Sequence, residues 1–506
     1  MMRALGRRED RIVNLCAGLL LSGPAALAGC GADGGRESGA GETTVASGVS
    51  EGPTSSGASA GASSGAGETG DTGPAATVTW HQDIAPIVAQ KCGGCHVSGG
   101  IAPLSLETYA AAFPFAAALL DAVERRTMPP FLADSTDECE PRFGFKNDPR
   151  LTDPELELLR GWVEQGAPEG DPKTAAPLPM PPDLELKDAD IHLPIPGTVT
   201  VKGTEDQYIC FSVDPGFAED AWLDGLQITP GNHKIVHHVL AYVDPDRASE
   251  QLMGPDGSYP CFGGPGIDNT SLIGAWAPGA LPFVPPDKVA MRVEAGSRIV
   301  LNIHYHPTGA EEQDSSTAIH MRRYPSLPEY VGLLALIGNE DDAGGGLLPG
   351  PNDPNGVPIF KIPAGAVDHT ETMLIDLGSD LPELRVFGST SHMHYVGTDM
   401  LIGVQRKDPE PGVPAEECLL QTPRWDFQWQ QIYSYAADLD ALPRVNPGDK
   451  VFLRCTYNNS MSNPFVVKAL SEQGLSEPKD VVLGESTLDE MCLGVFGIAV
   501  ALKDVI

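Results

Sequence analysis

The run Cys92-Gly93-Gly94-Cys95-His96 constrains this chain more than any other feature of its sequence. Two thiols in this spacing, followed at once by an imidazole, form the C-x-x-C-H motif that attaches a c-type haem. The cysteines bond to the haem vinyl groups, and the histidine ligates the iron. A structural zinc half-site would need a second Cys or His pair nearby, and a redox C-x-x-C pair needs no histidine. We therefore expect haem c on Cys92, Cys95 and His96, in a chain that handles electrons.

The residues around this motif have the pattern of a small helical domain. Residues 81–90 read as a short helix that leads into the motif, and residues 151–165 carry apolar side chains at helical spacing. Met128 lies between them and is followed by two prolines. A methionine in an apolar stretch is more often a core residue, but Met/His ligation is the common arrangement in cytochromes c. We predict a cytochrome c-like domain over residues 76–172, with Met128 as the distal axial ligand.

The N-terminus predicts export. Arginines in the first eleven residues precede an apolar stretch over 12–28, which together indicate a signal peptide over residues 1–29. The closing Leu27-Ala28-Gly29-Cys30 resembles a bacterial lipobox, which implies that Cys30 is acylated, and the following glycine favours the outer membrane, in a periplasmic or surface-facing position. Residues 30–75 are rich in Gly, Ser and Ala and predict a disordered tether.

Charge excludes two classes of partner. The formal net charge of the chain is −36. A surface this acidic repels nucleic acid and anionic lipid, so we expect no nucleic-acid partner and membrane contact only through the N-terminal lipid.

Beyond a proline-rich linker over residues 173–189, the sequence changes to short β-type runs separated by Gly, Pro and Asp turns. A weak internal repeat divides this part, because residues 295–305 align with residues 447–457 in turn, strand and terminal tyrosine. We predict a multidomain chain in which the all-α domain is followed by two all-β sandwiches, over residues 190–330 and 331–506.

Four short pieces with metal-binding side chains lie in these β-type runs. They are His237-His238, His304-Tyr305-His306, His392-Met393-His394 and Met491-Cys492. A single strand histidine is usually only a hydrogen-bonded polar residue, and the number of pieces is what favours a metal site. The rings of a His-x-His pair project from the same face of a strand, whereas adjacent histidines share an ion only where the strand bends or ends. Imidazole with a thioether suits copper; zinc fits the histidines equally well but does not explain the methionine.

These pieces belong to a longer ordered series, which resembles the copper type II, ascorbate-dependent monooxygenases, among them peptidylglycine α-hydroxylating and dopamine β-monooxygenase. The series is Asp206-Gln207-Tyr208-Ile209-Cys210, His237-His238, Asn302-Ile303-His304-Tyr305, His392-x-His394, Arg454-Cys455 and Asp489-Glu490-Met491-Cys492. The resemblance implies two jelly-roll-like sandwiches, each with one copper ion, facing each other across a solvent cleft.

The resemblance also implies roles for single residues. His237, His238 and His304 match the ligands of the electron-transfer copper, with His306 as the rival third ligand. His392, His394 and Met491 match those of the catalytic, oxygen-binding copper. Disulfides between Cys210 and Cys261 and between Cys455 and Cys492 are implied in the same way, while the pairing of Cys139 and Cys418 stays open.

Two positions depart from the family. The peptide hydroxylase has an arginine and a tyrosine that hold its substrate where this chain has Thr390 and Val495, so peptidylglycine is not the expected substrate. The resemblance implies an enzyme that hydroxylates a C–H bond of a small organic substrate with O2. We expect its electrons to come through the fused haem c domain from a periplasmic cytochrome or an ascorbate-like reductant. The alternatives are an electron-transfer or copper-binding lipoprotein without this activity, and a structural surface protein with a vestigial site.

Overall fold

The structure is a computed structural model that describes residues 77–98, 100, 102–180, 185–203, 205–339, 346–350, 353–484 and 488–505. The predicted signal peptide, the acylation site Cys30 and the tether up to residue 75 lie outside the described residues. Within the described ranges, none of the helices has the length and apolar character needed to cross a bilayer.

Helices are concentrated before residue 175. A π-helical turn over Trp80–Ile84 leads into the first α-helix, and the other α-helices and 3-10 turns are short. The α-helices are α1 (Ala85–Lys91), α2 (Tyr109–Ala112), α3 (Ala116–Glu124), α4 (Asp153–Glu164), α5 (Pro464–Glu472) and α6 (Leu502–Val505), and the 3-10 turns are Phe113–Phe115, Pro172–Thr174, Ala248–Gln251 and Pro354–Gly356. Both helices predicted around the C-x-x-C-H motif are present, with boundaries within a few residues of the expected ones.

Helix α4 shows why the sequence forms these elements. Its N-terminus carries a capping box, in which the backbone N–H of Thr152 donates to the Glu155 carboxylate at 2.7 Å. Leu159 and Trp162 on its inner face are buried, and the Trp162 ring lies 5.7 Å from that of Trp80. Together they form a small apolar core that is separate from the core of the β part.

The rest of the described chain is mostly β-structure. The strands are β1 (Ile191–Pro194), β2 (Val199–Val201), β3 (Gln207–Val213), β4 (Ala221–Thr229), β5 (Val236–Asp244), β6 (Ser258–Pro260), β7 (Ser271–Trp276), β8 (Val289–Val293), β9 (Arg298–Tyr305), β10 (Glu312–Asp314), β11 (Ala318–Arg323), β12 (Tyr330–Gly338), β13 (Lys361–Ile362), β14 (His369–Asp376), β15 (Leu384–His392), β16 (Gly397–Gln405), β17 (Glu416–Thr422), β18 (Tyr433–Ser434), β19 (Arg444–Val445), β20 (Lys450–Tyr457), β21 (Val481–Val482) and β22 (Leu493–Ala501).

One nine-stranded sheet runs through both halves of the β part. Its order is β1-β11-β4-β8-β12-β22-β15-β18, with β19 also paired to β15, and the two halves meet at the parallel pair β8 and β12. A five-stranded sheet, β6-β3-β9-β5-β7, lies in the first half, and a four-stranded sheet, β14-β20-β16-β17, lies in the second. This β-rich architecture with few helices is consistent with the predicted β-sandwiches.

Alternation along the strands builds the core. Strand β4 of the large sheet buries Leu223 and Ile228 in the same apolar cluster as Phe211 of the five-stranded sheet. In the second half Met400 and Ile498 join the four-stranded and nine-stranded sheets in that cluster. Each such buried side chain contributes about 1.5–3 kcal/mol relative to an exposed one.

The two segments of the internal repeat occupy equivalent places. Residues 298–305 form β9, between β3 and β5, and residues 450–457 form β20, between β14 and β16. Each strand ends in a fully buried tyrosine, Tyr305 or Tyr457. The hydroxyl of Tyr457 donates to the carbonyl of Met491 at 3.0 Å. The repeated pattern thus lies in the middle of both smaller sheets.

Three disulfides connect the described chain. Cys210 pairs with Cys261 and Cys455 with Cys492, as the resemblance implied, and Cys139 pairs with Cys418. The third bond, whose partners the sequence left open, fastens the N-terminal part to β17. Disulfides of this kind persist in oxidising compartments, so the protein is extracellular or periplasmic.

Candidate metal centre

A cavity of about 760 Å³ is lined by all the residues that the sequence nominated as copper ligands. Its walls come from both halves of the β part and from the N-terminal part, which contributes Phe131, Lys146 and Asn147. The nominated side chains that line it are His237, His238, His304, His392, His394 and Met491.

A three-histidine cluster forms where β5 lies beside β9. His238 and His304 are direct cross-strand partners, and β5 carries an irregularity between Val236 and His238. This irregularity lets the adjacent His237 ring face the same way as its neighbour, which is the condition that the sequence set for two neighbouring ligands. Nδ1 of His238 lies 3.2 Å from Nδ1 of His237 and 3.3 Å from Nδ1 of His304.

These distances fit a metal ion. Four ligands placed tetrahedrally at 2.0–2.1 Å from an ion are separated by about 3.3–3.4 Å. Burial lowers the pKa of His237 to about 3, and it lowers the pKa of His238 well below its ordinary value, with His304 adding to both shifts. The imidazoles of His237 and His238 are therefore neutral at pH 7 and offer lone pairs. The donor set of His237, His238 and His304 fits copper or zinc, and its ligand atoms all lie within 4.8 Å of one another.

Asp206 and Tyr208 hold the third histidine in place. Nε2 of His304 lies 3.2 Å from Oδ2 of Asp206, and the imidazole stacks on the Tyr208 ring at 4.4 Å and 8°. Nδ1 of the rival ligand His306 donates to the other carboxylate oxygen at 2.7 Å. Burial alone would raise the pKa of Asp206, but the contacts with both histidines outweigh it and hold that pKa far below its ordinary value. The carboxylate orients His304 through Nε2, while His306 lies outside the cluster.

The His-x-His pair lies at the end of β15. His392 is the last residue of the strand and His394 lies beyond it. The expectation that both rings project from one face of a regular strand is therefore wrong. They lie 5.4 Å apart and perpendicular to each other. Nδ1 of His392 donates to Oε1 of Gln430 at 2.8 Å, and Nδ1 of His394 donates to the carbonyl of Asp489 at 3.0 Å. With Nδ1 protonated, each ring carries its lone pair on Nε2.

Glu490 connects the His-x-His segment to the methionine segment. Its buried carboxylate accepts hydrogen bonds from the backbone N–H groups of His394 and Met491, the latter at 2.8 Å. Burial raises the pKa of Glu490 to about 8, against the opposing effect of these hydrogen bonds. The disulfide between Cys455 and Cys492 fastens the residue next to Met491 to β20. The thioether is thus placed in the same cavity as both histidines by covalent and hydrogen-bonded supports.

The ring of Phe427 lies between the two sets of candidate ligands. It stacks on His237 at 5.0 Å and 21°, and it meets His394 edge-on at 6.1 Å. The rings of His237 and His394 are therefore no more than about 11 Å apart. One aromatic side chain thus contacts a ring of each set, in the cavity where the resemblance implied an open solvent cleft.

The C-x-x-C-H motif directly follows helix α1. Cys92 and Cys95 are free thiols, and Nδ1 of His96 lies 3.0 Å from the carbonyl oxygen of Leu104. A hydrogen bond from Nδ1 directs the lone pair to Nε2, the nitrogen that ligates haem iron. Met128 follows helix α3, and its backbone N–H donates to the carbonyl of Ala122 at 3.2 Å.

The segment after Met128 crosses to the second half of the β part. Phe131 packs edge-on against Tyr433 at 5.0 Å, and the carbonyl of Pro130 accepts from the side chain of Gln431 at 3.4 Å. Gln431 is the neighbour of Gln430, the partner of His392. The N-terminal part therefore contacts the loop that supports the His-x-His pair.

Sequence reasoning missed several supporting residues. Asp206 and Glu490 were part of the matched series but had no role assigned. Glu490 directly precedes the nominated ligand Met491, which is a signal that could have been used, whereas Asp206 is far in sequence from every nominated ligand. Phe427 and Gln430 carry no such signal, because their loop reaches the histidines only in the folded chain.

Comparisons with known proteins give no family for this chain. No family model and no curated protein matches it. Among solved structures it is similar to PNGase F, a glycosylasparaginase from Flavobacterium meningosepticum, with 10% identity, a TM-score of 0.20, and coverage of 60% of this chain and 96% of that one. A peptide-N(4)-(N-acetyl-β-D-glucosaminyl) asparagine amidase gives 10% identity, a TM-score of 0.14, and coverage of 52% and 90%. Likenesses this low carry no argument about function.

Proposed function

We propose that this protein is a copper-dependent monooxygenase that hydroxylates a C–H bond of a small organic molecule with O2. It would be similar to the copper type II, ascorbate-dependent enzymes that the ordered series of motifs resembles. One observation carries the proposal: a single cavity holds a three-histidine cluster and, across one aromatic ring, two further histidines and a methionine.

Copper fits these donors better than zinc does. Neutral imidazoles bind either metal, but a thioether ligand favours Cu(I) and therefore an ion that changes oxidation state. In this proposal His237, His238 and His304 hold the electron-transfer copper, and His392, His394 and Met491 hold the catalytic one. When bound, the two ions supply single-electron transfer and O2 activation.

The surrounding side chains prepare these ligands. Asp206 fixes the orientation of His304, and Gln430 fixes that of His392, so that each ring presents one nitrogen to the cavity. The Glu490 carboxylate accepts hydrogen bonds from the backbone N–H groups of both His394 and Met491, and so fixes the distance between these two backbone segments. Phe427 contacts one ring of each set, His237 and His394.

The N-terminal part is the proposed electron entry. Cys92 and Cys95 would bind haem c, with His96 and Met128 as axial ligands, in an all-α cytochrome c-like domain. The contacts of Pro130 and Phe131 beside the cavity support this arrangement. A periplasmic cytochrome or an ascorbate-like reductant would be the donor. Acylated Cys30 would anchor the protein to the outer membrane, facing the periplasm or the surface.

The test begins with metal analysis of the purified chain, where we expect two copper ions and one covalent haem. It continues with substrate-dependent O2 uptake in the presence of ¹⁸O2 and ascorbate as the two-electron reductant, where one labelled atom should enter the product and the other should leave as water. Metals without labelled product would support the second candidate, a copper-binding or electron-transfer lipoprotein. The three-histidine cluster favours that second candidate, because its three side chains can hold a metal ion without any residue of the other site.

A further inference from the structure

We infer that the cavity accepts a neutral, largely apolar molecule with one hydrogen-bonding group, which binds the hydroxyl of Thr390. The inference deepens the proposed function by naming its substrate class, and it rests on that function for the reaction at the bound molecule. The binding itself follows from the cavity wall.

The wall beside the candidate ligands is apolar. Leu336, Val495 and Thr390 form one cross-strand row over β12, β22 and β15, and all three line the cavity. From β5, Leu240 lines the cavity two residues beyond His238, on the same face of the strand. Trp276 extends this surface. An apolar molecule bound here would remove this surface from water.

Charged groups of the cavity lie at its rim or have partners. Lys288 is exposed and paired with Glu329 at 2.9 Å, and Asp440 is exposed and paired with Arg385 at 2.6 Å. Asp206, the acid next to the histidines, contacts His304 and His306. Among the described residues that line the cavity there is no arginine, the residue best suited to hold a carboxylate. An ionised substrate would therefore lose its hydration without gaining a buried partner.

Thr390 is the exception in this wall. The residue is 7% exposed, and its Oγ1 atom is itself buried and has no hydrogen-bond partner among the described residues. Buried hydroxyls are normally paired, so this atom carries a cost that a ligand can remove. Thr390 precedes His392 by two residues on β15, which places both side chains on the same face. A hydroxyl both donates and accepts, so a ketone, alcohol or amide group can satisfy it.

The test measures binding to the mature full-length chain as isolated, under argon, by isothermal titration calorimetry. The probes share one skeleton: 4-phenyl-2-butanone, butylbenzene, 4-phenylbutanoate and 4-phenylbutylamine. We expect the ketone to bind at least about tenfold more tightly than either ion. The nearly isosteric Thr390→Val substitution should weaken ketone binding about five- to tenfold, the value of one hydrogen bond, and leave butylbenzene binding unchanged.

Ser391→Ala is the matched control. Ser391 is the next residue of β15, and its hydroxyl is already paired with that of Thr422 at 2.9 Å, so its removal should leave the order of the probes unchanged. Equal binding of the ketone and either ion, or an unchanged ketone affinity in Thr390→Val, would overturn the inference. O2 uptake and product labelling are then measured on the same samples after addition of ascorbate as reductant and ¹⁸O2. Selective ketone binding without labelled product would refute the monooxygenase while leaving the binding class intact. Labelled product from an ionic probe would support the monooxygenase and refute the binding class.

Discussion

Replacing Asp206 with asparagine should weaken metal binding at the three-histidine cluster without unfolding the protein. The carboxylate lies 3.2 Å from Nε2 of His304 and 2.7 Å from Nδ1 of His306. Across one imidazole ring, a carboxylate and a unit positive charge are roughly 6 Å apart and attract by about 3 kcal/mol at an effective dielectric constant of about 20. Loss of such a partner usually lowers metal affinity by 10–100-fold, which is about 1.4–2.8 kcal/mol. We expect a loss within that range for Asp206→Asn.

The assay is a competitive Cu(I) and Cu(II) titration in a background that isolates this cluster. Substituting His392 and His394 with alanine removes the other candidate site. Asp287→Asn is the control, because Asp287 is an exposed acid that lines the same cavity and its substitution changes the net charge equally. If Asp206→Asn binds copper as tightly as Asp287→Asn does, the carboxylate has no role in orienting His304 and our reading of the cluster is wrong.

Three further predictions concern other parts of the chain. Met491→Ile should remove the sulfur scatterer from the reduced-state X-ray absorption spectrum while the three-histidine cluster stays loaded, whereas Met461→Ile, at an exposed methionine, should not; an unchanged spectrum would give the ligand role to another residue. Because the pKa of Glu490 is raised to about 8 from its ordinary value of 4.5, its contribution to the stability of the metal-free protein should be complete below about pH 4.5 and lost as the pH rises through about 8. Urea denaturation of Glu490→Gln should lack this decline, and an equal decline in both proteins would contradict the assignment. Haem should resist acid-acetone extraction, and the double substitution Cys92→Ala with Cys95→Ala should abolish covalent haem; freely extracted pigment would exclude a C-x-x-C-H attachment.

Local pattern was enough for much of the fold. Helix α4 follows from the helical spacing of its apolar side chains, because helix formation depends on side chains a few positions apart. The β-rich texture after residue 190 and the repeated interior strands β9 and β20 follow in the same way from alternation and turn residues. The nominated ligands were also visible, since their chemistry is a property of the residue type.

Tertiary structure alone decided which of those residues meet. The sequence could not choose between His304 and His306 as the third ligand. The choice depends on the strand register that places His304 opposite His238, and on the hydrogen bond that His306 donates to Asp206. It could not pair Cys139 with Cys418, whose separation of 279 residues carries no local signal.

The joining of the two halves was equally hidden. The parallel pairing of β8 with β12 joins strands of the two halves into one sheet, although the sequence of each half alone predicts a separate sandwich. Phe427 and Gln430 come from a loop whose residues touch the histidines only after both halves have packed. Sequence determined the elements and the candidate chemistry, because both are set by neighbours in the chain. The fold determined the site, because its geometry is set by residues far apart in sequence.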